Sequence, residues 1–158
     1  MFRSKLLIFK VGKSKYACNI KDVDRIIKYE NLTYVPSKQV SFEGFYNHEG
    51  RVIKIFNMSK RLGVEYDTSV KNTNRKIIIV KDGNVLVGIV VDEVLEVFNY
   101  GDQNSKITDD EEKLNTVKDK DKYINLHYVK DMILLNGEIV IYISITKIIA
   151  IELEESDL

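Results

Sequence analysis

The chain has 158 residues, 44% of them hydrophobic, and its 24 basic side chains balance 24 acidic ones. That apolar content excludes a disordered chain, and the zero net charge leaves no long-range field to draw it toward nucleic acid or anionic lipid. An opening with only four consecutive apolar residues, Leu6 to Phe9, is too short for a secretion signal or a membrane span, so a cytoplasmic protein is expected.

In chain order, Leu6 to Val11 and Lys15 to Ile20 read as strands flanking the turn Gly12-Lys13-Ser14. Pro36 cannot donate to a sheet ladder and marks the end of the early strands. Arg51 to Phe56 is a further strand, followed by Asn57 as the N-cap of a short helix, Met58 to Leu62, that Gly63 ends. A second hairpin joins Lys76–Val80 to Asn84–Val91 through Lys81-Asp82-Gly83. From Gly101 to Lys122, 12 of 22 residues are charged, which predicts a solvated loop. Ile139 to Ile143 is an apolar strand, and Ser144 caps a second helix over Ile145 to Ile149 that runs on toward Leu153. The acidic tail from Glu152 to Asp157 is expected to fray into solvent. The nearly continuous apolar runs Ile77–Val80 and Ile139–Ile143 predict strands covered on both faces, and Cys18, on one face with Tyr16 and Ile20, predicts a buried thiol.

One pattern is written twice. Gly12, Tyr16, Ile20, Asp22, Val23 and Ile26 meet Gly83, Val87, Val91, Glu93, Val94 and Val97 at a constant offset of 71, and Gly50 to Lys60 meets Gly137 to Lys147 at an offset of 87. The second copy has therefore gained 16 residues, placed most naturally within Gly101 to Lys122. Neither half of roughly 70 residues buries a sufficient core alone, so the halves are expected to pack on each other. Catalytic signatures are missing. His48-Glu49 lacks the helix and second histidine of a zinc-protease motif, Gly12-Lys13-Ser14 lacks the upstream glycine of a phosphate loop, and the acidic run Asp109-Asp110-Glu111-Glu112 lacks the spacing of a calcium loop. No cofactor is expected. Two binding readings remain: an oligonucleotide-binding barrel, for which nine tyrosines supply aromatics but no basic stripe emerges, and a protein–protein adaptor.

The motifs together resemble the bacterial chemotaxis coupling protein (CheW) family over essentially the whole chain. The resemblance rests on Phe9, Gly12 and Tyr16, on Val23-Asp24-Arg25-Ile26, on Val35-Pro36, and on Glu43-Gly44 leading to Asn47 and Gly50-Arg51-Val52-Ile53. It continues through Lys60-Arg61-Leu62-Gly63, Val87-Gly88, Val91-Asp92-Glu93-Val94 and Gly137 to Ile149. It implies an all-β chain of two five-stranded SH3-like or OB-like barrels packed on a shared hydrophobic core, with short helices. The first barrel spans roughly 12–70 and the second roughly 75–145, within one CheW-like domain over 1–158 whose chain ends and connections cross between them. It also implies a non-catalytic adaptor, monomeric in isolation, that couples the cytoplasmic tip of chemoreceptors to the regulatory domain of a CheA-like histidine kinase and is recruited to membrane receptor arrays. A coupling protein of another two-component pathway, such as pilus motility, is the alternative within the fold.

The resemblance assigns Val23, Arg25, Ile26, Glu49 and Val91 to a receptor groove, with Val23 and Val91 equally suited to plain core. It assigns Ile27 and Tyr29, on a barrel edge, to kinase docking. The family usually carries Glu where this chain has Arg25, and Arg where it has Glu49 in Asn47-His48-Glu49-Gly50. If the two positions face each other, their joint inversion keeps an ion pair while presenting the opposite polarity to a partner.

Overall fold

The computed structural model describes residues 4–65, 74–101 and 126–155. Ten strands and two helices follow in the order β1 (Ser4–Val11), β2 (Ser14–Asn19), β3 (Val23–Lys28), β4 (Phe42–His48), β5 (Arg51–Asn57), α1 (Met58–Leu62), β6 (Lys76–Asp82), β7 (Val85–Val91), β8 (Glu93–Tyr100), β9 (Val129–Leu135), β10 (Glu138–Ile143) and α2 (Ile145–Glu155). Adding 71 to the bounds of β1, β2 and β3 gives β6, β7 and β8 within one residue; adding 87 to those of β4, β5 and α1 gives β9, β10 and the start of α2. The duplication is thus a duplication of strands. The segment 101–122, where the extra residues were expected, lies almost wholly outside the described residues.

The strands form two five-stranded sheets, in the orders β8-β1-β2-β10-β9 and β3-β6-β7-β5-β4. These orders are the same once each strand is replaced by its repeat, so the sheets are equivalent. Each, however, is assembled from both halves. The first hairpin of one half (β1–β2 or β6–β7) is flanked by the third, fourth and fifth strands of the other, through an antiparallel ladder on one side and a parallel ladder on the other. The expected division at 12–70 and 75–145 is therefore not a division between sheets: β2 belongs with β8, β9 and β10, and β6 and β7 belong with β3, β4 and β5.

Neither backbone ladder closes into a ring among the described residues, yet each sheet curls until its edges meet at a side-chain bond. The Tyr29 hydroxyl, just beyond β3, donates to Glu43 Oε1 on β4. At the repeat position, the Tyr100 hydroxyl on β8 donates to Asp131 Oδ2 on β9 at 2.5 Å. Thr33 also forms a bridge to Phe45 on β4.

The central strands are covered on both faces, which is why their sequences read as unbroken apolar runs. Leu7, Phe9, Cys18, Ile78, Val80 and Ile89 point into one core shared by both sheets and both helices. Leu6, Ile8 and Ala17 point into a second cluster belonging to one sheet, and Ile77, Ile79 and Val90 into its counterpart in the other. Ile139 departs from the expectation: beside the β9–β10 turn it is 52% exposed. At the centre of β7 the repeat position of Ala17 is Gly88, where an added β-carbon would lie 2.3 Å from Ile55 Cδ1 and 2.8 Å from Ile77 Cγ2. Two isoleucines fill the volume a side chain would take.

The caps behave as the sequence suggested. Asn57 Oδ1 accepts from Lys60 N at 3.1 Å, and Gly63 adopts φ 69° to end α1. Ser144 Oγ accepts from Lys147 N at 3.3 Å. The expected fraying of the acidic tail is overturned at Glu152, which is 1% exposed. It falls four residues after Ile148 on the buried stripe of α2, and Ser41 Oγ donates to its Oε2 at 2.8 Å, Gln39 Nε2 to its carbonyl at 3.1 Å and Arg61 Nε to its Oε1. Burial outweighs Ser41 and Arg61 and holds the Glu152 carboxyl above its ordinary value.

Candidate docking surface

The edge strand β3 carries most of the residues singled out from the sequence. Its register on β6 is Val23↔Val80, Arg25↔Ile79, Ile26↔Ile78 and Ile27↔Ile77, with a bulge between Val23 and Arg25. A bulge inserts one residue and re-aims those that follow. Cross-strand partners share a face, so Val23 and Ile26 lie on the side of the shared core, while Arg25 and Ile27 lie on the side of the β3–β7 sheet's own cluster. Val23 is half-buried, Ile26 is 41% exposed at the rim of the shared core, and Ile27 packs against Ile77 and its neighbours. The guanidinium of Arg25 is exposed, with Nε 3.0 Å from Asp24 Oδ2.

Glu49 lies elsewhere, at the tip of the β4–β5 hairpin. It and Gly50 take φ values of 50° and 85°, matched by Asn136 and Gly137 at 51° and 79° in the β9–β10 turn. Both are two-residue turns with two successive positive φ values, the geometry that suits a right-twisted hairpin. Asn47 Oδ1 accepts from Gly50 N at 3.0 Å and steadies the turn. The Glu49 carboxylate is 82% exposed and stands 3.8 Å from His48 Nε2.

Two expectations are corrected here. No ion pair joins Arg25 to Glu49 among the described residues: the first turns to Asp24 and the second to His48. Arg25 lies on the edge strand β3 and Glu49 at the tip of the β4–β5 turn, and each side chain turns to its own neighbour in sequence. Val91 is 1% exposed, the last residue of an interior strand packed into the shared core, and so supports the surface without forming it. Tyr29 is half-buried against the same cluster as Ile27, and its hydroxyl belongs to the barrel seam with Glu43, whose other oxygen accepts from Asn57 Nδ2 at 3.4 Å.

Sequence reasoning missed Asp92, although it stands in the Val91-Asp92-Glu93-Val94 motif. Fully buried where the chain leaves β7 for β8 and so passes between sheets, it accepts from Gly12 N at 2.6 Å through Oδ2. Its own N–H donates to Lys10 O at 2.9 Å, and Arg75 Nε lies 3.4 Å from its Oδ1. The signal available was an acid inside an otherwise apolar run, since a buried carboxylate needs partners.

Among the described residues no three His, Cys, Asp or Glu side chains converge as for a metal ion. No described helix is long and apolar enough to cross a membrane. Two open clefts of about 370 and 440 Å³ flank the segment 37–41, sharing Lys38, Gln39, Val40 and Lys60 in their walls. What the molecule presents around β3 is a bulged edge strand with an exposed arginine and a rim of apolar side chains, a surface suited to contact with another protein.

The CheW-like domain family matches residues 5–153. The chain is 29% identical over 144 residues to the chemotaxis protein CheW of Thermotoga maritima, covering 91% of this chain and 86% of that one. It is 31% identical over 94 residues to CheW of Bacillus subtilis, covering 59% of this chain and 58% of that one, and 30% identical over 106 residues to CheW of Rhizobium meliloti, covering 66% of each. Its fold is similar to the crystal structure of the scaffolding protein TtCheW from Thermoanaerobacter tengcongensis, with a TM-score of 0.74, 22% identity, and 92% of this chain and 86% of that one covered. With the duplicated strands, the two equivalent sheets and a family match over nearly its whole length, this chain belongs to the CheW-like domain family.

Proposed function

We propose that the chain is a non-catalytic adaptor that couples the cytoplasmic tip of chemoreceptors to a CheA-like histidine kinase, held in the cytoplasm and recruited to receptor arrays at the membrane. The observation that carries this reading is the family match over residues 5–153, on a chain whose described residues offer docking surface. A receptor tip built as a helical hairpin would lay an apolar stripe along Val23 and Ile26 at the rim of the shared core, with Arg25 as the charge beside them. Glu49, at the tip of the β4–β5 turn and not bonded to Arg25, presents a second charge to the receptor. The kinase's regulatory domain docks along the Ile27 and Tyr29 end of β3, where Ile27 backs the edge and the half-buried tyrosine ring supplies the anchor.

Isothermal titration with a receptor cytoplasmic fragment and, separately, with the kinase's regulatory domain tests the assignment. Ile26→Asp and Arg25→Glu are expected to weaken receptor binding by tenfold or more while leaving kinase binding within twofold. Equal loss for both partners, or for neither, would remove β3 from the receptor surface. The adaptor reading itself fails if the purified chain accepts phosphate stoichiometrically from the phosphorylated kinase.

A further inference from the structure

We propose that the two halves of this chain are exchangeable, so that a second copy of the same chain can supply β6 to α2 to the β1–α1 half of the first, giving a domain-swapped dimer with two complete folds. The eight strand ladders among the described residues divide evenly. Four stay within a half: β1·β2, β4·β5, β6·β7 and β9·β10. The other four, β1·β8, β2·β10, β3·β6 and β5·β7, join one half to the other. Taken alone, the first half is a hairpin, a lone strand and a second hairpin with no ladder among the three pieces, and the second half is the same. Everything that makes either sheet continuous is a contact between halves.

None of those ladders includes a described residue of the covalent link between the halves. That link runs from Gly63 to Arg75, between the end of α1 and the start of β6. The occupant of each half's open edges is therefore specified by strand register, whichever chain supplies it. A second copy forms the same four ladders, the same shared core and the same Asp92 clamp on Gly12, so the swapped dimer keeps the ladder and core contacts seen among the described residues. The difference between the two states is the entropy of connection. A short link gives its own second half an effective concentration on the order of millimolar, which favours the monomer in dilute solution. Exchange requires all four joining ladders to open, which amounts to global unfolding. Swapping therefore occurs during folding, and the two forms interconvert slowly once folded.

The experiment uses the full chain with Cys18→Ala and two reporter pairs. Lys5 and Asn99 are exposed register partners across β1·β8, so Lys5→Cys with Asn99→Cys reports on a ladder between halves. Asn47 and Val52 are exposed partners across β4·β5, so Asn47→Cys with Val52→Cys reports on a ladder within a half. Protein refolded from denaturant at about 1 μM and at about 1 mM, bracketing the expected effective concentration, is sized by light scattering, and the dimer peak is oxidised and run without reductant. A dimer fraction at least tenfold higher at the higher concentration is expected. Its first pair should be linked between chains and its second pair within chains. A dimer with both pairs linked within chains is a surface association and overturns the proposal, as does the absence of dimer at the higher concentration.

Discussion

Glu49 occupies the first corner of its hairpin turn at φ 50°, where the β-carbon of an L-residue crowds the neighbouring backbone at a cost of roughly 1–2 kcal/mol. The repeat position holds Asn136, a residue that tolerates this conformation better. Glu49→Gly is therefore expected to raise stability by about 1 kcal/mol in urea unfolding, whereas Glu49→Gln, which keeps the strain and drops the charge, should leave the midpoint unchanged. Loss of receptor affinity in both variants would show that the strain is retained for a charge presented to the partner. Because Arg25 and Glu49 form no ion pair with each other, their charge reversals should add: in the cycle Arg25→Glu, Glu49→Arg and both, a stability coupling above about 0.5 kcal/mol would show that the two charges interact directly. Cys18 supplies the pH-dependent case. Burial, reinforced by the negative charge of Asp22, pushes its thiol from an ordinary 9.0 up to about 12. The unfolded chain ionises first, so the stability contributed by keeping the thiol neutral is fully present below pH 9 and is lost as pH rises toward 12. Native protein at pH 9 should resist thiol-alkylating reagents, and Cys18→Ala should flatten the decline in stability across that window; rapid native labelling would show that the thiol is accessible.

Elements are held in register by bonds that the strand pattern does not announce. Tyr29 and Tyr100 close equivalent seams, each through a hydroxyl donated to a carboxylate on the opposite edge strand, so Tyr29→Phe and Tyr100→Phe should each cost about 1–2 kcal/mol and should speed amide exchange on β4 and β9 respectively. Unchanged exchange on those strands would show that packing alone holds the seam. Tyr29→Asp would set a second acid against Glu43, so a loss of kinase binding in that variant has to be judged against the loss in Tyr29→Phe. The C-terminal helix has a comparable fastening. Glu152→Ala removes the acceptor of Ser41 and one of the two acids that hold Arg61, which keeps Glu155, so a cost of about 1–3 kcal/mol and fraying of the last turn of α2 are expected. Strands β1, β2, β5, β6, β7 and β10, both caps and the buried Cys18 were legible because each follows from local periodicity or turn chemistry, whereas β3, β4, β8 and β9 were not read as strands. Glu152 was misread because composition spoke for solvent, while its spacing from Ile145, Ile148 and Ile149 placed it on the buried stripe; spacing is the stronger signal when a charged residue has partners elsewhere in the chain.

At the scale of the molecule, the repeat offsets of 71 and 87 disclosed two equivalent units but could not say which strands share a sheet. A fold of contiguous halves and a fold of exchanged halves bury the same alternation of apolar residues, and ladder partners distant in sequence leave no local trace. The exchanged arrangement has a thermodynamic consequence. Two barrels folded from separate stretches of chain could unfold one after the other; two barrels that each contain both halves cannot, because losing one removes strands from the other half's only partners. Denaturation followed by near-ultraviolet and far-ultraviolet dichroism should trace one transition, and the slowest-exchanging amides of β1–β2 and β6–β7 should report the same free energy. Asp92 sharpens the test, since it sits at the passage between sheets and its carboxylate binds the Gly12 N–H beside Arg75. Asp92→Ala leaves the buried Gly12 N–H unpaired and removes the carboxylate beside Arg75, at a cost of about 1–3 kcal/mol. If the sheets are one cooperative unit, that loss should appear equally in the slow amides of both hairpins. A loss confined to β7 and β8, with β1 and β2 exchanging as before, would mean that the sheets fold independently despite their interleaved strands.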